Sequence, residues 1–382
     1  MADYRNVIVQ FGTSRFLQAH VDLFASEAAA AGQAVPPIVV VQTTRDPSRA
    51  GRAAAFGAVE GYPVRIRGRR ADGALIERET RVRSIVRGLH AADDWTDVCA
   101  MFERSATYVV SNTGDAGYRV AEDDRVSTLL QTDEPPRSFP AMLLVLLHRR
   151  WRSCGTPVTL MPCELVQGNG DTLKAVATDL AQSVGAEPSF LAWLDDDCLW
   201  VNSLVDRIVS EPIDPVGAVA EPYALWAVAD QPGLVMPFTH PDVVLTDDLE
   251  RYERLKLHIL NLGHSWLAQR WIDSGRPEGR FVRDAVADAA TRSALERVYA
   301  EEVVPGFAAH GMAEAARTYV AETMARFANP FLDHRLADIA DHHPDKLRKR
   351  IGGFLSWVDS AAMAPPLPEL DAIMSRADVP VA

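Results

Sequence analysis

Short runs made almost wholly of apolar residues recur through the first half of the chain. They are residues 6–11 (NVIVQF), 37–43 (PIVVVQT), 107–111 (TYVVS) and 157–162 (PVTLMP). A strand that is apolar at successive positions is buried on both faces, as in a parallel sheet covered by helices. The first run ends at Gly12 and is followed by TSRFLQAHVDLFASEAAAAG, which has helical periodicity and closes at Gly32. Strand, glycine turn and helix form the opening of a dinucleotide-binding unit. The three-glycine fingerprint is absent, since Gly12, Ser14 and Phe16 stand in its place. A plain strand–helix turn fits that segment equally well.

The end of the second run reads Gln42, Thr43, Thr44, Arg45, Asp46. Asp46 can accept from ribose hydroxyls there, and Arg45 can instead meet a 2′-phosphate; two solvated loop charges are the third reading. Residues 58–89 contain PVRIRGRR and RETRVRSIVRGL, whose alternation suggests antiparallel strands with one polar face. The run at 107–111 leads into Asn112, Thr113, Gly114, Asp115, Ala116 and Gly117. Such a small polar loop at a carboxyl strand end is where an open α/β sheet presents groups to a ligand. Residues 138–151 read as a helix with Pro140 in its first turn. The run at 157–162 ends at Cys163 and Glu164, and a helix begins at Asp171 after the QGNG turn. Residues 199–209 form the last strong strand, interrupted by Asp206 and Arg207, whose side chains point to opposite faces.

From Asp247 onward no strand pattern appears, and helical segments are expected near 281–298, 313–326, 333–341 and 346–359. The expected architecture is an α/β, Rossmann-like domain over 1–246 followed by an all-α domain over 247–382. A chain of 382 residues, 48% hydrophobic and 24% charged, suits two globular domains. A net charge of -13 argues against a nucleic-acid partner but leaves room for a local basic pocket. No apolar run reaches membrane-span length. The N-terminus enters a strand pattern at once, without room for a signal peptide. Cys99, Cys154, Cys163 and Cys198 show no CxxC spacing and read as reduced thiols of a cytoplasmic protein.

Residues 248–268, DLERYERLKLHILNLGHSWLA, read as one helix with Leu249, Tyr252, Leu255, Ile259 and Leu262 in its buried stripe. Asp247 can cap it. Lys256, Asn261 and His264 interrupt the stripe. On an ideal α-helix His264 lies about 80° and Asn261 about 140° around the axis from Lys256. Three polar groups on an apolar helix are costly unless partnered. A solvated helix edge with a satisfied histidine and a reactive cluster both fit that spacing.

In this order and at these separations, IVQFGTSRFLQAH, VVSNTGDAG, SFPA, PCELVQGNGDTL, NSLVDRI, KLHILNLGH and ANPFLDHRL resemble the polyol-specific long-chain dehydrogenase family. That family includes mannitol dehydrogenases, mannonate dehydrogenases and tagaturonate reductases, and SNTGDAG, PCEL and SFPA are most similar to the last branch. The resemblance covers nearly the whole chain. It implies a dinucleotide-binding domain, a helical domain and a site in the cleft between them. It also implies oxidation of a secondary alcohol of a polyol or sugar acid, usually with NAD and without a metal. The family's K-x-x-x-x-N-x-x-H corresponds to Lys256, Asn261 and His264. Its cofactor side corresponds to Gly12, Thr13, Ser14, Arg15 and Phe16, to Ser111, Asn112 and Thr113, and to Asp206 of VDRI. Thr43, Asp46 and Glu164 join that side at neighbouring strand ends. One departure stands out. Leu165 replaces the asparagine of the mannitol dehydrogenases' C-D-N, which favours a sugar acid over mannitol.

Under that resemblance Lys256 is the general base. A base acts best near the operating pH, so its apolar flanks must lower its affinity for the proton. Asn261 donates to the developing oxyanion, His264 orients the substrate, and Asp206 orients the lysine or the cofactor. A structural ion pair is the other reading of Asp206 and Arg207. Arg335 and Lys346 are candidates to grip a substrate carboxylate, and Asn169 a further contact. His334, His342 and His343 lack metal-ligand spacing, so no metal is expected. A polyol phosphate as substrate and a non-catalytic nucleotide-binding protein are the rival readings. The sequence leaves the oligomeric state open.

Overall fold

The computed structural model describes residues 6–45, 50–70, 72–114 and 117–377. The chain divides into two compact units. One comprises Met1–Arg65, Arg78–Ala220 and Ala224–Leu249; the other comprises Ile66–Glu77, Glu221–Tyr223 and Glu250–Ala382.

In chain order the strands are β1 (Val7–Phe11), β2 (Ile38–Gln42), β3 (Tyr62–Arg69), β4 (Leu75–Val82), β5 (Ile85–His90), β6 (Ala106–Ser111) and β7 (Thr159–Pro162). They continue with β8 (Leu199–Trp200), β9 (Ser203–Asp206), β10 (Val209–Pro212), β11 (Ala218–Ala220), β12 (Leu225–Ala229) and β13 (Val243–Thr246). The main sheet of the first unit runs β5-β2-β1-β6-β7-β8, and every neighbour pair is parallel. All five residues of β1 and all five of β2 are buried, as strands covered on both faces require. The register places Phe11 beside Val41 on one side and Ser111 on the other, and Ser111 beside Pro162. The carboxyl ends of four strands therefore form one level row. Phe102, Leu143 and Leu146 are fully buried in the cluster that packs with Val7, Val9 and Phe11. Burying each such side chain stabilises by about 1.5–3 kcal/mol.

Two sequence expectations are corrected here. The second arginine-rich run is not antiparallel throughout, because its end becomes β5, which pairs parallel with β2. The single strand expected over 199–209 is three pieces. β8 closes the main sheet, β9 pairs with β12, and β10 pairs with β11. The pair Asp206–Arg207 stands at the second break, and both residues are buried, at 4% and 7% exposure.

In the second unit one continuous helix runs through Leu249–Leu255, Lys256–Asn261 and Leu262–Asp273. Its middle segment is a π turn. The helix expected over 281–298 is two, Val282–Ala287 and Ala289–Val298. Asp288 stands between them and accepts from the Thr291 N–H at 2.8 Å, so it caps the second. Ala313–Phe327 follows as read, whereas the segment near 333–341 is helical only over Leu336–Ile339. The last expected helix is His343–Leu347, a π turn at Arg348–Gly352, and Gly353–Asp359. Trp266, Tyr299, Phe307 and Phe354 are fully buried in this unit's core.

Candidate active site

In the main sheet β2 and β5 lie to one side of β1 and β6, β7 and β8 to the other. The strand order reverses at β1, and in open α/β sheets a ligand binds outside the carboxyl ends of the strands at such a switch point. A cavity of about 530 Å³ lies there. It is lined by Gly12, Thr13, Ser14 and Arg15 after β1, by Thr43 and Thr44 after β2, and by Asn112 and Thr113 after β6. A second cavity of about 680 Å³ shares Thr43, Thr44 and Thr113 and adds Arg45, Arg119 and Arg137. Of the sequence-derived cofactor residues, the structure thus brings Gly12, Thr13, Ser14, Arg15, Thr43, Asn112 and Thr113 to one place. Asp46 lies outside the described residues.

The crossing is tight because Gly12 has no side chain. Its φ is +108°, and a Cβ would stand 2.5 Å from the Asn112 carbonyl oxygen. The Asn112 N–H in turn donates to the Phe11 carbonyl at 3.1 Å, so the two loops are stitched together. Ser14 caps the short helix Arg15–Gln18 by accepting from the Leu17 N–H at 3.2 Å. The Thr13 carbonyl accepts from Gln18 Nε2 at 3.1 Å and from Arg52 Nη2 at 3.3 Å. Arg52 was not legible as a site residue, yet it lines the same cavity.

Five sequence candidates do not line either cavity. Ser111 is buried and donates to Glu164 Oε2 at 2.9 Å. Glu164 also accepts from Tyr118 Oη, from the Thr113 N–H at 3.1 Å and from Thr113 Oγ1 at 3.1 Å. Its carboxylate is filled by the loop that follows β6, and it acts as the loop's anchor. Burial raises its pKa, against which the Ser111 and Thr113 hydrogen bonds act. Phe16 stacks on His20 at 4.6 Å between ring centroids. Asn169 is fully buried, with Nδ2 donating to the carbonyls of Pro162, Glu164 and Ser203 and Oδ1 accepting from the Gly170 and Ser203 N–H groups. That commitment corrects its reading as a substrate contact: every polar atom of the side chain pins backbone. Asp206 is buried at the end of β9, and Arg207 donates to the Ala19 carbonyl at 2.6 Å.

In the second unit the π turn at Lys256–Asn261 changes the geometry inferred from an ideal helix. A π turn takes up one residue more than an α turn and rotates everything beyond it back by about one step, about 100°. Asn261 then lies about 40° to one side of Lys256 and His264 about 20° to the other. On that geometry the three positions fall within about 60° of the helix circumference. The turn is held from outside. Tyr299 Oη donates to the Ile259 carbonyl at 2.9 Å, and Arg350 Nη1 donates to the Asn261 carbonyl at 3.3 Å and to Ser265 Oγ at 3.0 Å. His258 Nδ1 donates to the Arg350 carbonyl at 3.0 Å. Gly263 makes room for this lock, since a Cβ there would stand 1.9 Å from the Tyr299 hydroxyl.

His264 is buried, and its Nε2 has no hydrogen-bond partner. Its ring packs on Phe327 at 4.6 Å and edge-on against His334 at 4.7 Å. Burial, then His334, Arg350, Arg326 and Lys346, hold its pKa well below the usual histidine value, so the ring is neutral. His334 Nδ1 is likewise buried without a partner. His334 stands in the block ANPFLDHRL, where reading it only as a metal ligand hid its role beside His264. Arg335, the residue chosen there from sequence, is exposed at the start of Leu336–Ile339. Lys346 Nζ donates to the Ile339 carbonyl at 3.0 Å.

Residues 6–235 match the family model for the mannitol dehydrogenase Rossmann domain, and residues 248–358 match that for the mannitol dehydrogenase C-terminal domain. The chain belongs to the mannitol dehydrogenase family. Within the family it is similar to altronate oxidoreductases. One from Halalkalibacterium halodurans is 29% identical over 90% of this chain and 69% of its own length. One from Bacillus subtilis is 28% identical over 91% and 74%. Among solved structures, the fold is shared with a D-sorbitol dehydrogenase at TM-score 0.75, 19% identity, 92% of this chain and 76% of that one. It is shared with mannitol 2-dehydrogenase from Pseudomonas fluorescens at TM-score 0.71, 18% identity, 98% and 79%.

Proposed function

We propose that this member of the mannitol dehydrogenase family is an NAD-dependent dehydrogenase that interconverts a secondary alcohol of a sugar acid and its ketone. The observation that carries the reading is the π turn at Lys256–Asn261, whose geometry turns Lys256, Asn261 and His264 toward one side of the helix axis. The altronate oxidoreductase relatives and the Leu165 departure support a sugar acid over an uncharged polyol. The Pseudomonas fluorescens structure was solved with NAD and D-mannitol, and the cavity at the β1 switch point suits a dinucleotide here. Gly12, Thr13, Ser14, Asn112 and Thr113 would hold it, and when bound it supplies the hydride acceptor.

In oxidation Lys256 takes the hydroxyl proton, and in reduction it returns it. Asn261 Nδ2 donates to the oxygen as negative charge develops, which is where a fixed donor contributes most. Neutral His264 offers an N–H to a substrate hydroxyl without adding a charge to the buried site. Lys346, with Arg350 and His334 nearby in charge and packing, supplies the field that a substrate carboxylate needs. No metal ion is needed for these roles. The domain division at residues 246 and 247 separates the cofactor residues from the acid–base residues in this reading.

The test is turnover of altronate, mannonate, mannitol and mannitol phosphate with NAD and NADP, in the native protein and in Lys256→Ala. Loss of general-base help costs roughly 10²–10⁴ in rate. The variant should retain NAD binding and lose turnover on the sugar acids by at least that much. Oxidation should rise with pH in the native protein and lose that limb in the variant. Turnover of uncharged polyols alone would overturn the substrate class. A pH limb that survives Lys256→Ala would move the base elsewhere.

A further inference from the structure

A cavity of about 850 Å³ opens in the second unit, lined by the tip of the β3–β4 hairpin and by the helices Ala289–Val298 and Ala313–Phe327. None of its lining residues belongs to the cavity at the β1 switch point or to the helix that carries Lys256. Four arginines line it: Arg69 and Arg70 from the hairpin, and Arg292 and Arg317 from the two helices. One carboxylate, Glu296, stands among them and pairs with Arg292 at 2.8 Å. Arg69 donates to the Gly73 carbonyl at 3.0 Å. Among the described residues Arg70 and Arg317 have no ion-pair partner. The inner wall is apolar, formed by Tyr299, Val304, Val320 and Met324.

Four arginines less one glutamate leave three positive charges around one cavity, on a chain whose net charge is -13. Like charges around one cavity repel one another, and an anion seated among them relieves that repulsion. The guanidinium fork matches carboxylate and phosphate oxygens two at a time. Ligand cavities are commonly about 300–1,000 Å³, with a mostly apolar wall and a few convergent polar groups. We propose that this cavity binds a small organic polyanion, with two or more phosphate or carboxylate groups held by Arg70, Arg317, Arg69 and Arg292 and its body against the apolar wall. The site is additional to the one that performs the dehydrogenation and does not depend on that assignment.

Isothermal titration of the full chain with pyrophosphate and with citrate, at about 0.15 M salt, tests it. Native protein should bind at least one of the two saturably, one per chain, and the tighter probe tells phosphate from carboxylate. The double variant Arg70→Ala/Arg317→Ala should weaken that binding at least tenfold. Arg297→Ala removes an exposed arginine from the same helix as Arg292 and outside the cavity lining, so it should stay within twofold. Arg317→Glu alone, at an exposed helix position, checks the result should the double variant be poorly folded, and it should abolish binding. No saturable binding of either probe, native affinity in the double variant or in Arg317→Glu, or an equal loss in Arg297→Ala would each overturn the proposal.

Discussion

Asp22 is fully buried in the first turn of Val21–Ala30; the single helix expected between Gly12 and Gly32 is two, Arg15–Gln18 and Val21–Ala30. Its Oδ2 accepts from Tyr62 Oη at 2.7 Å and from Gln10 Nε2 at 3.4 Å, while Oδ1 has no partner. Burial, opposed by these two hydrogen bonds, pushes its carboxyl up to about 7. An acid whose pKa is raised by folding holds its proton more tightly folded than unfolded. Its stabilising effect is full below the unfolded value, near 3.8, and is lost as pH rises toward about 7. Asp22→Asn keeps an acceptor for Tyr62 and cannot ionise. Urea midpoints at pH 5 and pH 8.5 should therefore show native protein losing stability relative to Asp22→Asn, and a constant difference between the two would refute the shift. Nothing in HVDLFASEA marks Asp22 as buried, since a helical pattern records which face is apolar and not how deeply the opposite face is covered. Gly12 and Asn112, by contrast, were readable, because loops at strand ends occupy known places in an open sheet.

The elements that matter most are the π turns, and periodicity could not reveal them. Lys256–Asn261, Tyr299–Val303 and Arg348–Gly352 are all π turns, and they hold one another. Tyr299 from the second and Arg350 from the third donate to carbonyls of the first. A stripe read at 100° per residue stays in phase to Leu255 and then slips, so a uniform α-helix sets Lys256 and Asn261 further apart around the axis than the π turn does. The partners that impose the slip lie about forty and ninety residues away, beyond any local pattern. Gly263→Ala tests the lock directly. The new methyl would meet the Tyr299 hydroxyl, and either that hydrogen bond or the turn must give way. Turnover should fall at least tenfold, with NAD affinity unchanged because the cavity proposed to hold the dinucleotide belongs to the first unit. Combining it with Tyr299→Phe removes the clashing oxygen, and the pair should recover part of the loss, a coupling that a double-mutant cycle measures. Additive losses would mean that Tyr299 does not set the turn.

At the scale of the whole molecule, the boundary near residue 246 follows from the end of strand patterns, but the second unit also takes segments from earlier in the chain. The hairpin tip Ile66–Glu77 and the stretch Glu221–Tyr223 belong to it. The alternation of PVRIRGR is the same on both sides of Arg65, so a pattern of burial cannot say which core does the burying. What ties Glu221 in is chemistry. Its carboxylate meets the Arg326 guanidinium in two contacts, 2.8 Å from Nη2 and 3.0 Å from Nε, with both side chains at 2% exposure or less. The Arg326 guanidinium also lies over the Tyr223 ring, 4.4 Å from its centroid. Removing one partner strands the other charge in the interior, which typically costs about 3–5 kcal/mol. Glu221→Ala should therefore lower the urea midpoint followed by circular dichroism by that equivalent. Arg326→Met alone should cost a similar amount, because it leaves the carboxylate buried without its fork. Glu221→Ala combined with Arg326→Met removes both charges and should be more stable than Glu221→Ala alone, since an apolar replacement carries no desolvation cost. A double variant that simply adds the two losses would show that the pair is not the tie, and that packing of Tyr223 holds the segment instead.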